Sequence, residues 1–171
     1  NDMIDTPTDD NFGFSVSLSW DNAVVSSYRD GDYGASSGSA RFYGFDGSQW
    51  QDFGKVYAST PGLSDNFGFK TAISGDVAII GAYGDDDKGN NAGAAYIFQK
   101  NGPVWSEVKK LTAGDGEAYD NFGWSVGVDG DVMAVGAYLD DDNANAAGAV
   151  YIYEYNGSDW ALVSKVISSD G

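Results

Sequence analysis

The chain repeats itself every 55 residues without insertion or deletion, and this periodicity limits the possible fold more than any other feature. The tetrapeptide Asp-Asn-Phe-Gly occurs at Asp10–Gly13, Asp65–Gly68 and Asp120–Gly123. Other residues recur at the same step, namely Tyr28, Tyr83 and Tyr138; Trp50, Trp105 and Trp160; and Lys55, Lys110 and Lys165. An exact repeat of this length predicts one structural unit built three times, over approximately residues 7–61, 62–116 and 117–171.

Each unit has the pattern of four short β-strands. In the second copy they are expected at Phe67–Ile73, Val77–Tyr83, Gly93–Gln99 and Trp105–Thr112, separated by turn-forming residues. The 24 glycines and only three prolines suit short strands joined by tight turns. Repeated four-stranded antiparallel meanders are typical of β-propeller blades. We therefore expect an all-β chain whose residues 1–171 form one region of three propeller blades.

The composition excludes several classes of function and of binding site. Nine basic against 26 acidic residues give a net charge of -17, which repels nucleic acid and anionic lipid and attracts cations, although it also simply favours solubility. The chain has no histidine and no cysteine, so it lacks a Ser-His-Asp triad, the usual zinc ligands and disulfides. The sequence contains no run of about 18 apolar residues, so no segment is predicted to span a membrane as a helix. We expect a non-enzymatic protein; catalysis by carboxylates or tyrosine alone is the remaining alternative.

Two motif pairs connect the repeat to a known family. They are Phe67-Gly68 with Gly81-Ala82-Tyr83, and Phe122-Gly123 with Gly136-Ala137-Tyr138. These pairs resemble the FG-GAP repeat of integrin α-subunit propellers, with tyrosine in place of the usual proline, and the wider pattern is similar to FG-GAP repeats of secreted bacterial and marine proteins. The resemblance implies calcium-stabilised propellers that act in adhesion and ligand recognition outside the cell.

An acidic loop between the second and third strands is the candidate cation site. The position that the family resemblance implies, between the first and second strands, is only Ser74-Gly75-Asp76 in the second copy, which is too short to wrap an ion. The later loop carries alternating aspartates in every copy, namely Asp30 and Asp32, Asp85 and Asp87, and Asp140 and Asp142. Such loops suit calcium, which takes roughly six to eight oxygen ligands. We expect calcium at one or more of these pairs; the alternative is an ordinary solvated turn.

Other repeating residues are expected to be structural. The aspartate of the tetrapeptide, Asp65 in the second copy, is expected to close a turn onto backbone amides. Its phenylalanine, Phe67, is expected to be a wedge between blades. The repeating tryptophan, Trp105, is expected to cover the blade edge, with its indole nitrogen hydrogen-bonded locally.

Residues that break the repeat are candidates for ligand or interface contacts. Trp20 replaces a turn glycine, which suggests a ligand platform or an interface. A lectin-like site between blades would combine aromatic and amide or acidic side chains, for which Tyr33 and Asn90 are further candidates. The first copy also has Arg41 in place of tyrosine and Ser26-Ser27 in place of Gly-Ala. A terminal blade or one that meets a partner differs in this way, and so does a copy that has simply drifted.

Three blades are too few for a closed propeller, which has about four to eight. The end blades would expose apolar faces and bare strand edges. Three arrangements avoid this: two chains form a six-bladed ring, chains form an open assembly, or the three blades are part of a larger propeller. Residues 1–6 and 166–171 fall in the same phase of the repeat, which favours a head-to-tail homo-oligomer.

The sequence thus predicts an extracellular or cell-surface binding and adhesion module, calcium-stabilised and self-associating, with a protein or glycan ligand. Two alternatives stay open. One is a structural subunit of a surface layer, filament or matrix, and the other is a carbohydrate-binding, lectin-like propeller.

Overall fold

The computed structural model describes residues 9–142, 144 and 146–168, and this part of the chain contains twelve β-strands and no helix that is long and apolar enough to cross a membrane. The first blade contains β1 (Val16–Ser19), β2 (Asn22–Ser27), β3 (Ser39–Phe45) and β4 (Trp50–Val56). The second contains β5 (Lys70–Ser74), β6 (Val77–Ala82), β7 (Ala94–Asn101) and β8 (Val104–Leu111). The third contains β9 (Phe122–Asp129), β10 (Val132–Ala137), β11 (Ala149–Tyr155) and β12 (Trp160–Ile167).

Each blade is one four-stranded antiparallel sheet whose strands follow chain order. The predicted fold of three propeller blades is therefore confirmed. The predicted first and last residues of the repeat region, including the matching phase of its two ends, lie partly outside the described residues.

The strands form where the sequence pattern places them, with one informative difference. β6 is an apolar run buried almost throughout, as expected for a strand with blades on both sides. β5 begins at Lys70 rather than at Phe67. The N–H of Phe67 donates to the carbonyl oxygen of Ser37 in the first blade, at 3.1 Å. Phe122 makes the equivalent contact with Ala92 and is also the first residue of β9, so the Phe-Gly motif joins blades at or just before the first strand.

The repeating aspartate closes a turn, as predicted. Oδ2 of Asp65 accepts a hydrogen bond from the N–H of Gly62, at 2.7 Å, and Oδ2 of Asp120 accepts one from Glu117, also at 2.7 Å. Burial raises the pKa of Asp65 to about 6, and burial also raises the pKa of Asp120. These carboxylates therefore favour their protonated forms more than an exposed aspartate does.

The apolar core lies between blades, in two clusters. One joins the first and second blades and contains Phe42, Phe67 and Tyr96; the other joins the second and third blades and contains Phe122, Met133 and Tyr151. The prediction of a phenylalanine wedge is thus confirmed for Phe67 and Phe122. Trp105 is buried and stacks on Phe42, with ring centroids 4.2 Å apart. Its predicted local hydrogen bond is wrong, because its buried Nε1 has no partner among the described residues.

Candidate functional site

The predicted aspartate pairs are brought together in every blade, and each pair binds the repeating lysine. In the second blade, Nζ of Lys110 on β8 lies 2.7 Å from Oδ2 of Asp85 and 2.5 Å from Oδ2 of Asp87. The third blade repeats this with Lys165, at 2.8 Å from Asp140 and 2.6 Å from Asp142. The first blade has Lys55 on Asp30 and Asp32. An ammonium group therefore lies between the two carboxylates of each loop.

The first aspartate of each pair is almost completely buried, and the protein supplies it with further donors. Asp85 is 2% exposed, and its Oδ2 also accepts a hydrogen bond from the hydroxyl of Tyr96, at 2.7 Å. Its Oδ1 accepts one from the N–H of Asp87, at 3.1 Å. Burial acts to lower the pKa of Lys110, but the hydrogen bonds from Lys110 to the two carboxylates outweigh it and raise that pKa above the ordinary lysine value. The ammonium stays charged at neutral pH.

This geometry does not fit a calcium ion at the aspartate pairs. Two carboxylates bound to an ammonium are far from the cage of roughly six to eight oxygens that calcium requires. Within the described part of the chain, no group of three or more acidic, histidine or cysteine side chains is arranged to hold a metal. Calcium at these loops stays a prediction, and binding there requires the lysine to leave.

A row of six aromatic side chains crosses all three blades. Each blade contributes one ring at or just before its first strand and one just after its second; the six are Phe14, Tyr28, Phe69, Tyr83, Trp124 and Tyr138. Neighbouring ring centroids lie between 4.3 and 5.7 Å apart. The tyrosines are those that replace the family's proline. Burial, with the nearby hydroxyls of Tyr28 and Tyr138, raises the pKa of Tyr83.

A cavity of about 810 Å³ adjoins this row at the end of the blades that carries the acidic loops. Its lining is more polar than apolar and combines aromatic, amide, hydroxyl and charged side chains, including Tyr28, Phe69, Tyr83, Tyr119, Asn66, Asn91, Asn121, Ser36, Ser64, Asp9, Asp10 and Arg29. Aromatic surface beside several convergent polar groups is a feature of ligand sites. The cavity is therefore the candidate functional site.

The backbone around the cavity is strained in a regular way. Seven lining residues other than glycine have φ between 51° and 77°, namely Asp9, Ser36, Ser64, Asn66, Asn91, Tyr119 and Asn121. This left-handed conformation costs energy in most residues and clusters at functional sites. Asp9, Ser64 and Tyr119 occupy one repeating position, so the backbone repeats while the side chain changes. Such variation on a fixed frame is typical of a recognition surface.

The three residues predicted as ligand contacts do not form one site. Trp20 lies at the turn between β1 and β2, 93% exposed, at the opposite end of the blade from the cavity. Tyr33 lies in the loop between β2 and β3, exposed, with its ring against that of Tyr57 at 4.7 Å. Asn90 is at the cavity edge, where its Nδ2 donates to the hydroxyl of Tyr119, at 3.0 Å. Sequence reasoning missed the aromatic row and Tyr119.

Comparison with known proteins identifies the repeat. The family model described as the FG-GAP repeat matches the chain three times, over residues 4–43, 50–98 and 105–153. No curated protein sequence matches the chain. Among solved structures, the crystal structure of Saccharomyces cerevisiae Sqt1 is similar, with a TM-score of 0.57 and 10% identity over 94% of this chain. The chain spans 37% of the length of that protein, and at this identity the likeness concerns the fold alone.

Proposed function

The chain belongs to the FG-GAP repeat family, and on that premise we propose that it is an extracellular, non-enzymatic binding module of the integrin-like type. It acts in adhesion, recognises a glycan in the cavity that crosses its three blades, and works as an assembly of chains. The observation that carries the proposal is this cavity of about 810 Å³, where a strained, repeating backbone presents different side chains in each blade.

The lining supports a glycan of low charge as the ligand. Aromatic rings such as Tyr83 and Phe69 offer apolar surface to the C–H face of a sugar. Asn91 is partly exposed at the cavity and its amide matches hydroxyl groups. Asn66 and Asn121 are almost buried, and their Nδ2 atoms donate to the carbonyl oxygens of Ser64 and Tyr119, so they hold the frame of the cavity. The net charge of -17 disfavours acidic ligands. A neutral glycan satisfies all three conditions.

The chemistry of the loops supports binding rather than catalysis. The chain contains no histidine or cysteine. The buried carboxylates Asp85 and Asp140 are each bound to a lysine ammonium and a tyrosine hydroxyl. Both carboxylates are thus engaged in ion pairs and hydrogen bonds within the fold. Their role is to fix the loops beside the cavity.

The experiment is a glycan array followed by calorimetric titration of the bound glycan. Tyr119→Ala removes an exposed ring from the cavity, and we expect it to weaken binding at least about tenfold, the loss of one ring contact. Tyr33→Ala removes an exposed tyrosine from a loop at the same end of the blades without touching the cavity lining, and is the matched control. An array without a glycan hit, or equal loss in both variants, would refute the proposed site. The titrated glycan is recovered intact if the protein is not an enzyme.

A further inference from the structure

The two ends of the three-blade unit are complementary, and we propose that a second copy of this chain docks head to tail on each end, so that two copies close one six-bladed ring. The inference rests on the assembly part of the proposed function and names the surfaces that assemble. It follows from contacts that occur twice within the chain. We call the contact between the first and second blades the first junction and that between the second and third blades the second junction.

Each junction seats the Phe-Gly pair of one blade on a glycine of the blade before it. At the second junction, the N–H of Phe122 donates to the carbonyl oxygen of Ala92, at 2.9 Å. A Cβ on Gly93 would lie 2.1 Å from the carbonyl oxygen of Phe122, so only glycine permits the approach. The first junction repeats both contacts with Phe67, Ser37 and Gly38, at 3.1 and 2.0 Å.

The third blade carries the same seat at its outer face. Gly148 and Ala147 stand at the repeat positions of Gly93 and Ala92. A Cβ on Gly148 would lie 3.1 Å from the carbonyl oxygen of Tyr138, which belongs to the same blade. No described residue of another blade comes as close to this position. A cavity of about 430 Å³ lies there, bordered by both residues. It corresponds in position to the space that Phe122-Gly123 fills at the second junction.

The first blade carries the matching Phe-Gly pair at the opposite face, together with an apolar surface. Phe12, Leu18 and Trp50 are 62%, 67% and 47% exposed. Their counterparts in the second blade, Phe67, Ile73 and Trp105, are 0%, 6% and 5% exposed because the first blade covers them. A blade with the outer face of the third blade would cover the first blade in the same way, and this chain provides one.

A second repeating contact explains the residue at the turn of the first blade. The N–H of Gly75 donates to Oγ of Ser19, at 2.9 Å, and that of Gly130 donates to Oγ of Ser74, at 3.0 Å. Between copies, the donor is the N–H of Trp20 and the acceptor is the carboxylate of Asp129. A carboxylate is a stronger acceptor than a hydroxyl, and the exposed indole of Trp20 would lie at the rim of the interface.

Closure at two copies agrees with propeller geometry. A head-to-tail contact forms a ring when its rotation closes and a filament when it does not. Two copies of three blades give six, inside the usual range of about four to eight. The outer faces of the first and third described blades are then covered by the same contacts that join the blades within the chain.

The test is the mass in solution by light scattering over a concentration series, without any glycan, so that failure of assembly and failure of glycan binding are read separately. We expect twice 18.0 kDa for the unmodified chain. Phe12→Asp, at an exposed site, should raise the dissociation constant at least about 100-fold, since it removes a buried phenylalanine from both contacts of the ring. Val104→Asp is its control, because Val104 is also exposed and the third copy carries Asp159 at that position.

Gly148→Ala tests the seat from the other end. The φ of Gly148 is +78°, and that of Gly157 is +92° with no described atom within 4 Å of where a Cβ would lie, so Gly157→Ala has the same backbone cost without filling the seat. We expect Gly148→Ala to be monomeric and Gly157→Ala to remain dimeric. A mass of 18.0 kDa for the unmodified chain at all concentrations, a mass that grows beyond two copies, or a dimer indifferent to both Phe12→Asp and Gly148→Ala would each overturn the proposal.

Discussion

Replacing the lysine that holds an acidic loop tests the role of the repeating charges directly. Lys110→Met keeps most of the side chain's length and removes the ammonium that binds Asp85 and Asp87. Asp85, 2% exposed, would keep only the hydroxyl of Tyr96 and the N–H of Asp87 as donors. Removing one partner of a buried ion pair leaves the other charge uncompensated and lowers the free energy of unfolding by about 3–5 kcal/mol. The lysine side chain is 18% exposed, so water relieves part of the cost and we expect about 3 kcal/mol.

The assay is urea unfolding combined with a thermal scan. About 3 kcal/mol corresponds to a fall in Tm of about 6–12 °C for a chain of this length. Lys88→Met is the matched control, because Lys88 is exposed in the same loop and its loss should change stability by less than about 0.5 kcal/mol. A Lys110→Met variant as stable as this control would refute the argument that the buried carboxylate depends on the ammonium.

The same variant separates lysine from calcium as the cation of the loop. If the ammonium fills that role, calcium should stabilise Lys110→Met, whose carboxylates are freed, and leave the unmodified chain unchanged. If EDTA destabilises the unmodified chain while the variant behaves like the control, calcium is the resident cation and the sequence-based prediction holds.

Two further predictions concern the core and its pH dependence. Phe67→Ala should cost about 3–5 kcal/mol of unfolding free energy, since Phe67 is fully buried, whereas Phe12→Ala should cost less than about 0.5 kcal/mol in solutions dilute enough to be monomeric; equal losses would contradict the described junctions. Because the pKa of Asp65 is raised to about 6, its protonated form stabilises the fold below about pH 4 and this contribution is lost as the pH rises through 6. Asp65→Asn should therefore gain stability relative to the unmodified chain between pH 4 and 7, by up to about 3 kcal/mol, and a difference that is constant with pH in urea titrations would refute this.

The blades were predictable because every constraint on them is local or repeated. Alternating runs, turn glycines and the fixed step determine where β6 and β7 lie, and both agree with the prediction within about two residues. The contact of the Phe-Gly motif with the preceding blade was not predictable in this way. Phe67 pairs with a backbone group of another blade, and a pattern read within one unit contains no information on contacts between units.

The acidic loops were located correctly, but the sequence reasoning did not pair them with the lysine that binds them. The lysine repeats with the aspartates, yet Lys110 lies 23 residues after Asp87, on a strand that returns to the loop only once β7 and β8 are paired. A lysine and an aspartate that both recur every 55 residues indicate such an ion pair. The sequence-based argument for calcium considered the acidic loop without the strand that covers it, and calcium at the loop stays a prediction.

The aromatic row was missed for a different reason. Its first ring is Phe14 in one copy, Phe69 in the next and Trp124 in the third, so a search for identical residues finds no repeat there. The property that repeats is the aromatic character, which lets rings of different size pack in tilted and edge-to-face pairs along the blades. The folded structure shows that these positions form one surface, because the rings of Phe69 and Trp124 both contact the ring of Tyr83.

The exceptions in the first copy lie on both faces of its blade. Trp20 and Arg41 lie on the face that no described blade covers, and Gly130, the counterpart of Trp20 in the third copy, contacts the preceding blade. The third exception, Ser26, faces the second blade, where its Cβ lies 2.9 Å from the position of a Cβ on Gly68, and that glycine allows the contact. Gly68 of the second blade therefore accommodates Ser26. We expect Trp20 and Arg41 to contact the blade that docks on the other face. Phe12 lies on that same face and is the first residue to substitute.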